Sequence, residues 1–405
     1  MATAYDTANI IIPKSAGYKS GSLYGWNPTA NSLVDFAVTR AGATATRVNE
    51  AGLIESVSAN VPRMDWAEGG SCPSLLVEPQ RTNIFTYSDP TTANLASSVG
   101  ITNAANDWGI GLTNKLIFPE IASTQVAYSA TAEINTQYAL EVYIRFPNGE
   151  SVSSSNFGQG AGKYGYFNLG GTAVVGGYTV SPVPNVSNLY KVSVIVTTAG
   201  TLSNVNSTGF LRTSSNDDAL IEVSGFNFQK GATAINAAYP TSYIPTAGTT
   251  ETRNTDVIQK TGIGSLINQA SGTLVIEALS FQANTAFSLS DGTNSNRATL
   301  LFDDDTRLIF TVGGVTQADI SNSFGEFNVY SKRGFSYGVN NFILSAGGAT
   351  LGTDTSGITF TGTTLNRVVF TLGDGINFPF FGRIRSLTYI PINTSESEIN
   401  ELTTP

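Results

Sequence analysis

The chain has 405 residues, 13% of them charged, with 41 Gly, one Cys, no His and a formal charge of −9. Without His there is no Ser-His-Asp or Cys-His nucleophile pair, no His-ligated zinc or haem and no imidazole acid/base near neutral pH; one Cys allows no internal disulfide or CxxC motif. With 21 Lys+Arg against 30 Asp+Glu there is no basic surface for nucleic acid, and no apolar stretch approaches the roughly 18 residues of a membrane span. Gly is enriched and charge is about half its usual share, with Ser, Thr and Asn in its place, which reads as a compact all-β surface protein. The 10% aromatic content separates it from a disordered chain.

Residues 1–83 read as a turn-rich leader. Ala4 to Pro13 alternates weakly, Gly17, Gly21, Gly25 and Asn27-Pro28 punctuate the next stretch, and Val34 to Val38 alternates apolar and polar. Met1 to Asp6 has no basic region and Ile10-Ile11-Ile12 stops at Pro13, so no secretory signal is expected. A surface-type composition without one is expected of a protein released by lysis. From 84 to 250 comes a train of short strands, clearest at Tyr138 to Phe146, Tyr190 to Thr197 and Ala219 to Gln229, which predicts a β-sandwich. The Ser/Gly-rich stretch Gly149 to Gly177 predicts a loop or edge strands.

After a boundary near 245–262, residues 255–405 predict a second sandwich. Its strands are expected at Gly272 to Phe281, Thr285 to Leu289, Ala298 to Phe302, Arg307 to Val312, Asn328 to Lys332, Ser336 to Leu344, Leu365 to Leu372 and Arg383 to Ile390. Asp291-Gly292, Gly313-Gly314, Gly347-Gly348 and Asp374-Gly375 mark turns between them. Ser395 with Glu398 forms a capping box that predicts a short C-terminal helix.

Three strings carry a resemblance. The first runs from Thr39-Arg40 through Ala45-Thr46-Arg47-Val48-Asn49 and Pro62-Arg63 to Ser74-Leu75-Leu76-Val77-Glu78-Pro79-Gln80-Arg81-Thr82-Asn83. The second is Ala238-Tyr239-Pro240-Thr241-Ser242-Tyr243-Ile244-Pro245-Thr246 with Thr252-Arg253 and Asp256-Val257, and the third is Gly382 to Pro391 followed by Ser395 to Thr403. In this order they resemble phage virion appendages, tail or head fibres, in which a carbohydrate-binding-module-like jelly roll precedes a concanavalin A-like (LamG-type) lectin domain. The resemblance implies an all-β chain of two tandem jelly-roll β-sandwiches behind a virion-docking leader. It also implies a non-enzymatic structural protein on the virion surface, a homo-oligomer (dimer or trimer) among other virion proteins, with a host-surface or mucosal glycan as ligand. The alternatives are a purely architectural spacer or oligomerisation subunit and, behind it, a glycan-cleaving enzyme.

A sugar site needs aromatic faces for C–H surfaces and short polar side chains for hydroxyls. The candidates are Trp108, Tyr164, Tyr166 and Tyr178 with Asn156, Gln159 and Asn168, while Trp26 and Trp66 are expected to bury against the neighbouring domain. No cofactor is required. Calcium is the candidate ion, with Asp303, Asp304 and Asp305 beside Asp291 as ligands, although three consecutive Asp also mark a solvated turn. A glycosidase needs two nearby acids, and Glu133, Glu141 and Glu222 could pair only through the tertiary fold. Arg40, Arg47, Arg63, Arg81 and Arg253 are expected to tie loops together through their five-donor forks.

Overall fold

The computed structural model describes residues 4–405 apart from 13–17, 20–21, 43, 121–123, 214–215, 217–218, 232–238, 303–304 and 325–326. It is all-β, with two sandwiches and a short C-terminal helix at Glu396–Thr403. That helix starts at the expected capping box: the Ser395 N–H donates to the Glu398 carboxylate at 2.8 Å and the Glu398 N–H donates to the Ser395 hydroxyl at 3.3 Å.

One sandwich is built from both ends of the chain. Its seven-stranded sheet runs Val315–Ser323, Asp305–Val312, Arg297–Phe302, Thr285–Ser290, Arg367–Val369, Val257–Thr261 and Ala37–Thr39. The facing sheet has Gly382–Ile390 beside Gly272–Ser280. The other edge of Gly382–Ile390 is covered over most of its length by two early segments, with Ile10 to Ile12 opposite Tyr389 to Leu387 and Leu75 to Val77 opposite Ile384 to Gly382. An uncovered edge there would be a template for aggregation. Ile10, Ile12, Leu23, Val34, Phe36, Met64, Leu75 and Val77 enter the same core as Leu274, Phe287, Leu308, Phe335 and Leu387. Residues 1–83 are therefore not a separate leader: Ile10–Ile12, Trp26–Asn27, Ser32–Leu33, Ala37–Thr39, Arg63–Asp65 and Ser74–Val77 complete the sandwich that the sequence divides off at 255–405.

The other sandwich is inserted between these two parts. Its larger sheet orders Thr102–Ala105, Asn114–Phe118, Ile221–Gly231, Gln137–Arg145, Leu189–Thr197 and Thr179–Pro182, and a five-stranded sheet containing Gln125–Ala130, Thr208–Arg212 and Tyr166–Leu169 faces it. Along Gln137–Arg145 the period of two is strict: Leu140, Val142 and Ile144 point into the aromatic core with Phe118, Phe167, Phe210 and Phe228, so Glu141 and Tyr143 point out of the sandwich. Opposite them the register slips by one residue at Gly225, whose φ of +64° and whose contact with the Tyr143 ring leave no room for a Cβ. The bulge thus sits where Glu141 and Tyr143 leave the sheet.

Several strand expectations differ in detail. Ser336 to Leu344 is a hairpin, Ser331–Gly338 and Asn341–Ala346, turning through Asn340 at φ +53°. Asn328 to Lys332 mostly precedes that first strand.

Candidate functional site

The chain crosses between the sandwiches twice, and the two crossings lie side by side, with Arg81–Asn83 antiparallel to Glu251–Arg253. A buried ionic cluster pins them. Arg63 Nη1 donates to Glu78 at 2.6 Å and Arg63 Nη2 to Asp256; Arg40 Nη1 reaches the second Asp256 oxygen at 2.8 Å, and Arg253 Nη1 lies 2.8 Å from Glu78. Glu78 also accepts from the Ser242 N–H and hydroxyl, both at 2.7 Å, which brings the 240–243 loop to the junction. Arg40, Arg63, Arg81 and Arg253 are each 1% exposed. Arg47 lies elsewhere: it pairs with Glu55 at 2.7 Å across the hairpin Ala45–Val48/Ile54–Val57 and is partly exposed.

Burial alone would raise the Glu78 carboxyl, but the Arg253 and Arg63 guanidiniums and the Ser242 donors hold it well below the usual carboxylate range. The unfolded chain takes up a proton near the ordinary glutamate value of about 4.3 that folded Glu78 refuses, so stability is full above that value and falls as pH drops below it. A series of urea midpoints between about pH 6 and 3 should show this loss. Glu78→Gln should lower stability at neutral pH and flatten the acid slope; an unchanged slope would contradict the assignment.

Beside the cluster the sandwiches enclose a groove. Its deeper cavity, about 220 Å³, is lined on one side by the 46–54 hairpin and the 65–70 turn, and on the other by Glu141, Tyr143, Lys191 and the 183–185 loop. A second cavity of about 370 Å³ shares Glu141, Lys191, Pro240 and Phe281 with it and continues along Thr179, Ser181 and Ser193. The 65–70 turn approaches Pro184 at Gly69, which takes φ +69° and where a Cβ would come within 2.8 Å of the Pro184 ring. Two half-buried aromatic side chains, Trp66 and Phe281, pack against the outer core from the groove wall. The Trp66 N–H donates to the Val48 carbonyl at 2.9 Å, fixing the turn to the hairpin.

The acids of the groove are held in place. Asp65 accepts from the Val48 N–H at 2.7 Å, the Ala67 N–H at 3.1 Å and Arg383 at 2.5 Å. Glu141 is almost fully buried, with Lys191 Nζ 3.8 Å away. Burial raises its carboxyl above the ordinary value, opposed by Lys191 and an Asn227 hydrogen bond and reinforced by nearby Glu78. Of the three acids that could pair through the fold, only Glu141 lines the groove: Glu133 meets Lys230, and Glu222 accepts from Lys115 at 2.6 Å and from the Trp108 indole at 2.9 Å.

The expected stacking residues are not a sugar platform. Tyr166 and Tyr178 are core side chains, and the Tyr178 hydroxyl donates to the Val174 carbonyl at 2.8 Å and accepts from the Phe167 N–H at 3.0 Å. Tyr164 packs edge-on against Phe146, with centroids 4.9 Å apart. Asn156 caps its own loop by accepting from the Ser153 N–H at 2.8 Å, and buried Asn168 accepts from the Gly171 N–H at 3.0 Å; Gln159 is exposed. Trp108 is buried with Tyr143 and Tyr243, behind the groove wall. Tyr166, Phe167, Asn168 and Leu169 are all buried, on a strand of the five-stranded sheet. Trp66, expected to bury against the neighbouring domain, is half-buried and lines the groove together with Phe281.

The calcium candidates also separate. Asp303 and Asp304 lie outside the described residues. Asp291 accepts from the Thr293 N–H and Asn296 amide, both at 2.8 Å, whereas Asp305 accepts from the Ser321 and Ser323 hydroxyls at 3.1 and 3.0 Å. They lie beyond opposite ends of Arg297–Phe302, about 20 Å apart at the usual rise per residue. Among the described residues no three His, Cys, Asp or Glu side chains are grouped to hold a metal ion.

No family model matches the chain, and no curated protein matches it. Similar solved structures include the carbohydrate-binding module CBM40 of the Ruminococcus gnavus IT-sialidase bound to α2,3-sialyllactose, at 18% identity and TM-score 0.30, covering 34% of this chain and 84% of that one. Domain 4 of AbnA, a GH43 extracellular arabinanase from Geobacillus stearothermophilus in complex with arabinotriose, has 14% identity and TM-score 0.30 over 37% of this chain and 73% of that one. The heptameric SAP-like pentraxin of Limulus polyphemus has 15% identity and TM-score 0.27 over 34% and 70%. At these values the likenesses carry no argument about function.

Proposed function

We propose that the chain is a non-enzymatic structural protein of a phage particle surface that binds a glycan in the groove between its two sandwiches. The phage reading rests on the resemblance of the three strings and on a low-charge, Ser/Thr/Asn/Gly-rich composition. The glycan reading is carried by one observation: the half-buried Trp66 and Phe281 side chains line a groove whose opposite side presents Thr179, Ser181, Glu141 and Lys191. That pairing of apolar faces with a few fixed polar groups suits a sugar, whose C–H face stacks and whose hydroxyls need donors and acceptors. Glu133 and Glu222 lie outside the groove with Lys230 and Lys115, and Asp65 is held by Arg383, so none of them pairs with Glu141 there, which supports binding over paired-carboxylate chemistry.

A glycan array probed with the intact chain tests this reading. Trp66→Ala should then lower affinity for the best ligand by about tenfold or more, as loss of a central aromatic contact does, with the chain still folded by circular dichroism. Binding that ignores Trp66 would move the site elsewhere, and absence of any glycan binding would favour the architectural reading of spacer and oligomer contact.

A further inference from the structure

We propose that the groove selects uncharged saccharides and rejects acidic ones bearing carboxylate or sulfate; this rests on the glycan reading above. Three cations line the two cavities, Arg47, Lys191 and Arg383. Each faces a carboxylate: Arg47 pairs with Glu55 at 2.7 Å, Arg383 with Asp65 at 2.5 Å, and Lys191 lies 3.8 Å from Glu141. The guanidiniums behind the groove do not supply another, because Arg63 and Arg253 are committed to Glu78 and Asp256 and are buried. Glu50, exposed on the lining of the first cavity, adds a further acid to this balance.

An acidic sugar would have to strip a cation from its partner or lie beside acids with no counter-charge, and like-charge juxtaposition is a strong means of rejection. A neutral sugar meets no such obstacle. Its hydroxyls find Ser181, Thr179 and Asn185, and the two adjoining cavities together have the size of pockets that enclose a ligand larger than one small ring.

The test uses the intact chain, titrated calorimetrically with matched neutral and acidic oligosaccharides, a hexose oligomer against its uronate counterpart and lactose against sialyllactose. Neutral members should bind about tenfold tighter or more. Glu141→Gln removes the acid beside Lys191 and should raise the acidic-to-neutral affinity ratio about tenfold; Glu50→Lys, at an exposed position that should leave folding intact, should move it the same way. Equal or tighter binding of acidic sugars to the native chain, or a ratio unmoved in the Glu50→Lys variant, overturns the inference. If acidic sugars bind in a Trp66-dependent way, the glycan reading survives and only the selectivity falls. If neither class binds, both fall.

Discussion

Arg63→Ala should destabilise the chain by about 3–5 kcal/mol, the cost of breaking a buried ion-pair network by removing one of its members. Arg63 is fully buried and is the side chain that bonds to both Glu78 and Asp256, one acid from each crossing between the sandwiches. Its removal leaves Glu78 to Arg253 and Asp256 to Arg40, and opens space where the Thr46 carbonyl and Ser242 hydroxyl had donors. Arg307→Ala is the matched control. That pair with Asp319 is 42% exposed on each side, and its loss should cost under about 1 kcal/mol. Urea unfolding of the three proteins would show the difference, and equal midpoints would mean that the cluster does not hold the junction.

Residues 255–405 expressed alone should fail to fold, although the sequence presents them as a domain. The fragment lacks eight large buried apolar side chains of its own core, Ile10 through Val77, and the strands that cover Gly382–Ile390. At about 1.5–3 kcal/mol for each fully buried side chain, that loss equals or exceeds a domain's net stability of roughly 5–15 kcal/mol. Residues 81–253 retain both crossing strands and the inserted sandwich's aromatic core, and should fold by themselves. Cooperative melting of 255–405 would contradict the nested arrangement; cooperative melting of 81–253 with loss of near-ultraviolet signal from 255–405 would support it.

The all-β class, most central strands and the final helix are legible in the sequence because their information is local. Leu140, Val142 and Ile144 announce their strand by alternation, and Ser395 with Glu398 announces the helix by spacing. Val315–Ser323 carries no such signal, since it is an edge strand whose buried side chains are only Ala318 and Ile320. The early strands read as a leader because they are two to four residues long and those that join the outer sandwich's long strands, Ile10–Ile12, Ala37–Thr39 and Ser74–Val77, have partners hundreds of residues away. Arginines in small-residue, turn-rich segments stand out by composition. Their partners Glu78 and Asp256 do not, because an acid next to Pro79 or Val257 carries no local sign of burial.

The groove is the least legible feature. Glu141 and Lys191 occupy outward positions on adjacent strands that a sequence reading assigns to solvent, and Trp66 lies in a turn of the other sandwich. Only the folding back of the first eighty residues brings these together. The aromatics that do stand out, in Gly149 to Gly177, serve the inserted core: Tyr166 and Phe167 lie on the strand Tyr166–Leu169, and Tyr164 packs on Phe146.

Hydrogen exchange of the intact chain, with and without the glycan that binds most tightly on an array, tests the groove most directly. Exchange should slow in 46–54, 65–70 and 183–191, drawn from both sandwiches, and the slowing should be lost together in Trp66→Ala. Protection confined to Gly149 to Gly177, with these three segments unchanged, would contradict it.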